Sequence, residues 1–189
     1  MTHLDPLLER NRTFAETDAH VGLTPMPRLG VFLITCLDGR VDPAQVLGLE
    51  LGDALVMRNA GGRVTDEVEH EVAFVGHVAE TMFGDDAPPF EVAVVHHTGC
   101  GTGFLADDDF RSGLAGRIGV DESALAAQAV TDPTASVRAD VERLRRSPLL
   151  PAKACVSGHV YDLDTGLVRT VMPSGSNRPG RNAAAAGGG

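Results

Sequence analysis

Three short apolar runs, Val31-Phe32-Leu33-Ile34, Ala54-Leu55-Val56-Met57 and Val92-Ala93-Val94-Val95, restrict this chain more than any other feature. A strand with one wet face alternates polar and apolar residues, whereas an unbroken apolar run suits a strand covered on both faces, as in a parallel sheet. Helical signals lie between the runs. Asp42-Pro43 reads as an N-cap and a helix-opening proline, so a short helix is expected over Ala44 to Leu49. After Thr65, the acids Asp66 and Glu67 occupy a first turn, and Val68, Val72, Val75, Ala79 and Met82 recur at helical spacing until Gly84 through Pro89 end the pattern. Val137, Val141 and Leu144 predict a second amphipathic helix after Asp132-Pro133. Ala154 to Tyr161 and Leu167 to Val171 read as strands joined by a hairpin-type turn at Asp164-Thr165-Gly166. The expected fold is α/β: a mostly parallel β-sheet core with flanking helices and an antiparallel edge strand at the C-terminal hairpin.

At 189 residues one domain is expected. Residues 1–27 read as an N-terminal helical arm, with a helix over residues 3–18 broken by Pro25-Met26-Pro27. Residues 28–174 form the α/β domain, and the tail at 175–189, ending Ala-Ala-Ala-Ala-Gly-Gly-Gly, is expected to be disordered. Lys and Arg number 16 against 26 Asp and Glu, and a net charge of −10 repels phosphate backbones and anionic membranes. Neither nucleic acid nor a membrane is an expected partner. Apolar runs are short and the first ten residues are charged, which predicts a cytoplasmic protein. Cys36, Cys100 and Cys155 cannot all pair, so they read as thiols or metal ligands.

In an open α/β sheet the ligand site lies beyond the carboxyl ends of the strands. Three segments arrive there: Cys36-Leu37-Asp38-Gly39-Arg40, Arg58-Asn59-Ala60-Gly61 and His97-Thr98-Gly99-Cys100. Zinc prefers thiolate and imidazole, and its catalytic sites commonly take three protein ligands and leave a fourth position for water. Cys36, His97 and Cys100 supply that count, for one Zn2+ per chain. His96 competes with His97, but neighbours on a strand point to opposite faces, and the HxxC spacing selects His97. A carboxylate beside a cation keeps its charge, so Asp38 is expected to stay ionised next to Arg40.

CxDxR followed by HxxC, here Cys36 to Arg40 and His97 to Cys100, resembles the β-class carbonic anhydrases, in particular their smaller, archaeal-like branch. The resemblance runs through Arg58-Asn59-Ala60-Gly61 and Gly158-His159-Val160-Tyr161-Asp162, covering roughly residues 28–172. It implies a zinc-dependent lyase converting carbon dioxide to bicarbonate and a proton, with Asp38 and Arg40 as a catalytic dyad and a homodimer or dimer-based higher oligomer as the assembly. Asn59, Ala60 and Gly61 would line the substrate pocket. Gly39 and Gly99 depart from the residues commoner in the family, and the chain has no Trp, which disfavours the bicarbonate-inhibited type.

Other readings remain open. Hydrolysis of carbonyl sulfide or carbon disulfide would use the same metal site. Gly101-Thr102-Gly103-Phe104-Leu105-Ala106 matches the GxGxxA dinucleotide fingerprint, but Asp107, Asp108 and Asp109 would crowd a phosphate, so a nucleotide-binding oxidoreductase is the distant alternative. Thiol redox chemistry lacks a CxxC motif, and a structural zinc module would need a fourth protein ligand. Cys155 reads as a core residue, His70 and His77 as surface positions, and Arg58 as equally suited to a surface pair or a site role.

Overall fold

The computed structural model describes residues 2–176, so most of the expected tail lies outside the described residues. Helix α1 spans Asp5–Ala15 and buries no residue. Then come strand β1 (Val31–Cys36), helix α2 (Pro43–Val46), strand β2 (Ala54–Asn59), helix α3 (Asp66–Phe83) and strand β3 (Phe90–His97). Helices α4 (Asp108–Ile118), α5 (Glu122–Ala126) and α6 (Pro133–Arg146) precede strands β4 (Ala154–Tyr161) and β5 (Val168–Gly175). The sheet order is β2-β1-β3-β4-β5, with β1 to β4 parallel and β5 antiparallel at the edge. The expected α/β architecture is the observed one.

Local chemistry explains the boundaries. Thr65 caps α3 by accepting from the Val68 N–H, and Asp132 caps α6 by accepting from Thr134 and Ala135. Helix α2 is shorter than expected, ending at Val46, because Gly48 takes a left-handed φ of 66°. Strand β5 begins one residue later than expected and runs four residues further, to Gly175. Helices α4 and α5 were not expected. They bury only Ala115 between them, so their apolar pattern is faint, although Asp107 and Asp121 cap them and Gly119 separates them.

The main core lies on one face of the sheet. Phe32, Ile34, Val92, Val94, Val156 and Val160 meet Val68 and Val72 of α3 and Val137, Val141 and Leu144 of α6. Each fully buried valine or leucine there contributes about 1.5–3 kcal/mol. Leu33, Ala93 and Val95 form a smaller cluster on the opposite face. With both faces covered, the polar strand ends are displaced to the rim. There β1 lies beside β3, and the chain leaving β1 runs to β2 on one side while the chain leaving β3 runs to β4 on the other, which opens a crevice at the carboxyl ends of β1 and β3.

Candidate metal centre

Cys36 ends β1 and His97 ends β3, on either side of that crevice. After His97 the chain turns back: the Thr98 N–H donates to the Tyr161 carbonyl, Gly99 adopts a left-handed φ of 62°, and Cys100 returns to the same spot. One donor atom from each of Cys36, His97 and Cys100 lies within 4.8 Å of the others, and all three residues are buried. The two sulfurs are 3.9 Å apart. Two thiolates at about 2.3 Å from a tetrahedral zinc stand about 3.8 Å apart, so this spacing suits the ion.

The imidazole supplies an independent test. His97 Nδ1 lies 2.9 Å from the Thr98 carbonyl oxygen, which can only accept, so Nδ1 carries the proton and Nε2 a free lone pair. Nε2 is buried and has no hydrogen-bond partner among the described residues. Leaving such an atom unpaired costs about 1–3 kcal/mol, which a metal ion at this position would remove. The residues fit zinc by donor type, by count and by this orphaned nitrogen.

The two thiols lie within hydrogen-bond reach of each other. The hydrogen bond from Cys36 draws Cys100 down to about 6, against burial and with help from Thr102. The same bond, reinforced by burial, pushes Cys36 up to about 11. Burial works against protonation of His97, but neighbouring Cys36 and the Thr98 carbonyl outweigh it and leave the imidazole above its ordinary value.

Asp38 lies outside the three-donor group, with its carboxylate held by Arg40 through Nε at 3.0 and 3.2 Å, through Nη2, and through the Arg40 backbone N–H at 2.9 Å. The Arg40 guanidinium keeps Asp38 well below the usual carboxylate range. Arg40 also donates to the Gly99 carbonyl, tying this pair to the turn between His97 and Cys100. Arg58 grips the same loop from β2: it donates to the carbonyls of Cys36 (3.0 Å) and Asp38 (2.7 Å) and to the Asp42 carboxylate (2.7 Å). The sequence alone suits Arg58 to a surface pair or a site role; the geometry makes it the clamp on the Cys36 to Asp42 loop.

The expected pocket residues lie beside this loop. Asn59 donates to the Arg63 carbonyl, Ala60 is exposed, and Gly61 is buried. Gly62, with φ +65°, presses so closely on the Thr35 to Cys36 backbone that a β-carbon there would lie 2.9 Å from the Cys36 nitrogen. Beneath it is a buried polar network that the sequence did not reveal. His96, facing away from the sulfurs, contacts Ser136 Oγ at 2.8 Å, the Gly62 carbonyl at 3.1 Å and Asp140 at 3.2 Å. Asp140 accepts in turn from Arg63 Nε (2.8 Å) and Nη2 (3.1 Å) and from the Val64 N–H. A charged pair 77 positions apart in sequence carries no local signature.

The apparent dinucleotide fingerprint folds differently from its namesake. Gly101–Ala106 is a 3-10 turn, and the Asp107 carboxylate occupies the start of α4 by accepting from Phe110. His70 and His77 are exposed on α3, and Cys155 is half-buried beside the Phe90 carbonyl.

A sequence profile described as carbonic anhydrase matches residues 31–109. β-Carbonic anhydrase 1 of Mycobacterium tuberculosis is 30% identical over 174 residues, covering 92% of this chain and all of that protein. A carbon disulfide hydrolase of an Acidianus strain is 31% identical over 162 residues, covering 74% of this chain and 76% of its own length. Among solved structures, a carbonic anhydrase of Streptococcus mutans is 36% identical with a TM-score of 0.74, covering 90% of this chain and 98% of the other.

Proposed function

Because the chain belongs to the β-class carbonic anhydrase family, we propose that it hydrates carbon dioxide reversibly to bicarbonate and a proton at a zinc held by Cys36, His97 and Cys100. The observation that carries this reading is the buried, convergent Cys-His-Cys set with His97 Nε2 left without a partner among the described residues. Zinc, when bound, lowers the pKa of a water molecule to about 7 and so supplies a nucleophile near neutral pH.

The chain's own residues do the rest. Asp38, ionised through Arg40, accepts a hydrogen bond from the attacking water and turns its lone pair toward the substrate carbon. Arg40 fixes the carboxylate, and Arg58 fixes the loop that presents it. Because Arg40 engages both carboxylate oxygens, Asp38 is not a fourth metal ligand here, which suits a catalytic site better than a closed structural one. Asn59 to Gly61 form the adjoining wall of the substrate pocket.

The assembly is a homodimer or a multiple of one, in the cytoplasm. Helix α1 buries nothing within its own chain yet carries Leu4, Leu7, Leu8 and Phe14 on its exposed surface, and β2 leaves one sheet edge open with Val56 exposed. None of the described helices is long and apolar enough to cross a membrane.

Hydrolysis of carbonyl sulfide or carbon disulfide is the second reading. The Acidianus relative supports it, as does an apolar groove of about 550 Å3 beside Asn59, Ala60 and Thr102. Stopped-flow comparison on zinc-quantified protein separates the two: carbon dioxide hydration is expected to dominate, and faster release of hydrogen sulfide from carbonyl sulfide or carbon disulfide would transfer the assignment.

A further inference from the structure

We propose that the Thr102 hydroxyl is a positioning donor to the Cys100 sulfur and sets how much negative charge that sulfur presents to the metal. The inference rests on the reading of Cys100 as a ligand. Thr102 Oγ1 stands 3.1 Å from Cys100 Sγ, within hydrogen-bond range for sulfur. A thiolate ligand carries no proton, so the bond runs one way, from hydroxyl to sulfur.

The surroundings hold the hydroxyl there. Thr102 lies in the 3-10 turn that follows Cys100, and a β-carbon at Gly61 would stand 3.0 Å from Thr102 Oγ1. The oxygen is therefore lodged between the loop at Gly61 and the sulfur. Thr102 is half-buried and also lines the apolar groove with Leu105, Leu114 and Leu125. The two sulfurs are treated differently. Cys36 receives backbone N–H groups from Asp38 and Gly61; Cys100 receives the Thr102 backbone N–H and, in addition, a side-chain donor that substitution can remove. A hydrogen bond to sulfur draws off electron density, weakens donation to the metal and leaves the ion a stronger Lewis acid.

Cobalt(II) in place of zinc makes this charge visible, because a more electron-rich thiolate gives a sulfur-to-cobalt charge-transfer band at lower energy. Thr102→Val keeps the shape and removes the donor; Thr102→Ser keeps the donor and removes the methyl. The band should move to lower energy in Thr102→Val and stay at the wild-type position in Thr102→Ser. Failure of Thr102→Val to take up cobalt while Thr102→Ser does so would also support the hydroxyl's role. Coincidence of the Thr102→Val band with wild type, or an equal displacement in both variants, overturns the proposal. Cys100→Ser is the separate control: if it retains the full wild-type band, the ligand reading falls and this inference falls with it.

Discussion

At the scale of single residues, the charged pair beside the donor set is local, although Cys36 and Cys100 themselves stand 64 positions apart. Asp38 and Arg40 are two residues apart and meet directly, since the Asp38 carboxylate also accepts from the Arg40 backbone N–H as the chain turns. Asp38→Asn removes the charge but keeps the shape. Its carbon dioxide hydration rate is expected to fall on the order of 100-fold, the scale for losing an oriented partner at a metal site, while zinc content stays at one per chain. Equal loss of zinc, measured by atomic absorption, would make Asp38 a structural residue instead. This part of the site was legible early because Cys36, Asp38 and Arg40 fall within five positions, and HxxC places two donors on one turn. Arg58 and Thr102 were not: an arginine's partners depend on which loop folds over it, and Thr102 entered the sequence reading only within a misleading glycine pattern.

At the scale of elements, close approach of helix to sheet and of helix to loop governs what can change. Gly76 of α3 faces Pro151, and a β-carbon there would lie 2.2 Å from Pro151 Cγ. Gly76→Ala is therefore expected to destabilise the protein by about 1–3 kcal/mol, as overpacking does, and to lower the thermal midpoint despite alanine's better helix propensity. An unchanged or raised midpoint would mean that the 147–152 loop moves aside at no cost. The Arg63-Asp140-His96 network joins α6 to the loop below Cys36. Burial pushes the Asp140 carboxyl up, but the bonds from His96 and Arg63 outweigh it and hold its pKa below the ordinary value. A carboxyl lowered on folding stabilises the fold above its unfolded pKa of about 3.9, and that contribution fades as pH falls toward the folded value. Asp140→Asn, which leaves half-buried Arg63 without its charge partner, should cost about 3 kcal/mol at neutral pH. Urea unfolding of the two proteins should show a constant gap above about pH 5 that narrows below about pH 4; a gap independent of pH would rule out this account. Helices α3 and α6 were readable from valine spacing, whereas α4 and α5 were overlooked because they rest on caps and bury almost nothing.

At the scale of the whole molecule, helix α1 is the element that the isolated chain does not explain. It buries no residue, yet Leu4, Leu7, Leu8 and Phe14 lie exposed along it. If the proposed dimer is built through α1, removing residues 1–27 is expected to leave a monomer in light-scattering chromatography, with the far-ultraviolet helix signal of the remaining domain intact. A truncated protein that stays dimeric would move the interface elsewhere, with the open edge at β2 the first place to look.

The α/β class, the strand ends and the Cys36, His97 and Cys100 donor set follow from order along the chain, because apolar runs specify buried strands and each strand delivers its last residue to the same rim. The crossing of β1 between β2 and β3 instead required tertiary structure. So did the burial of His97 Nε2, the grip of Arg58 on the Cys36 to Asp42 loop and the pairing of Arg63 with Asp140, since all three depend on segments far apart in sequence. Such contacts form only once packing has excluded water, and no local pattern of residues encodes which distant groups will then face one another.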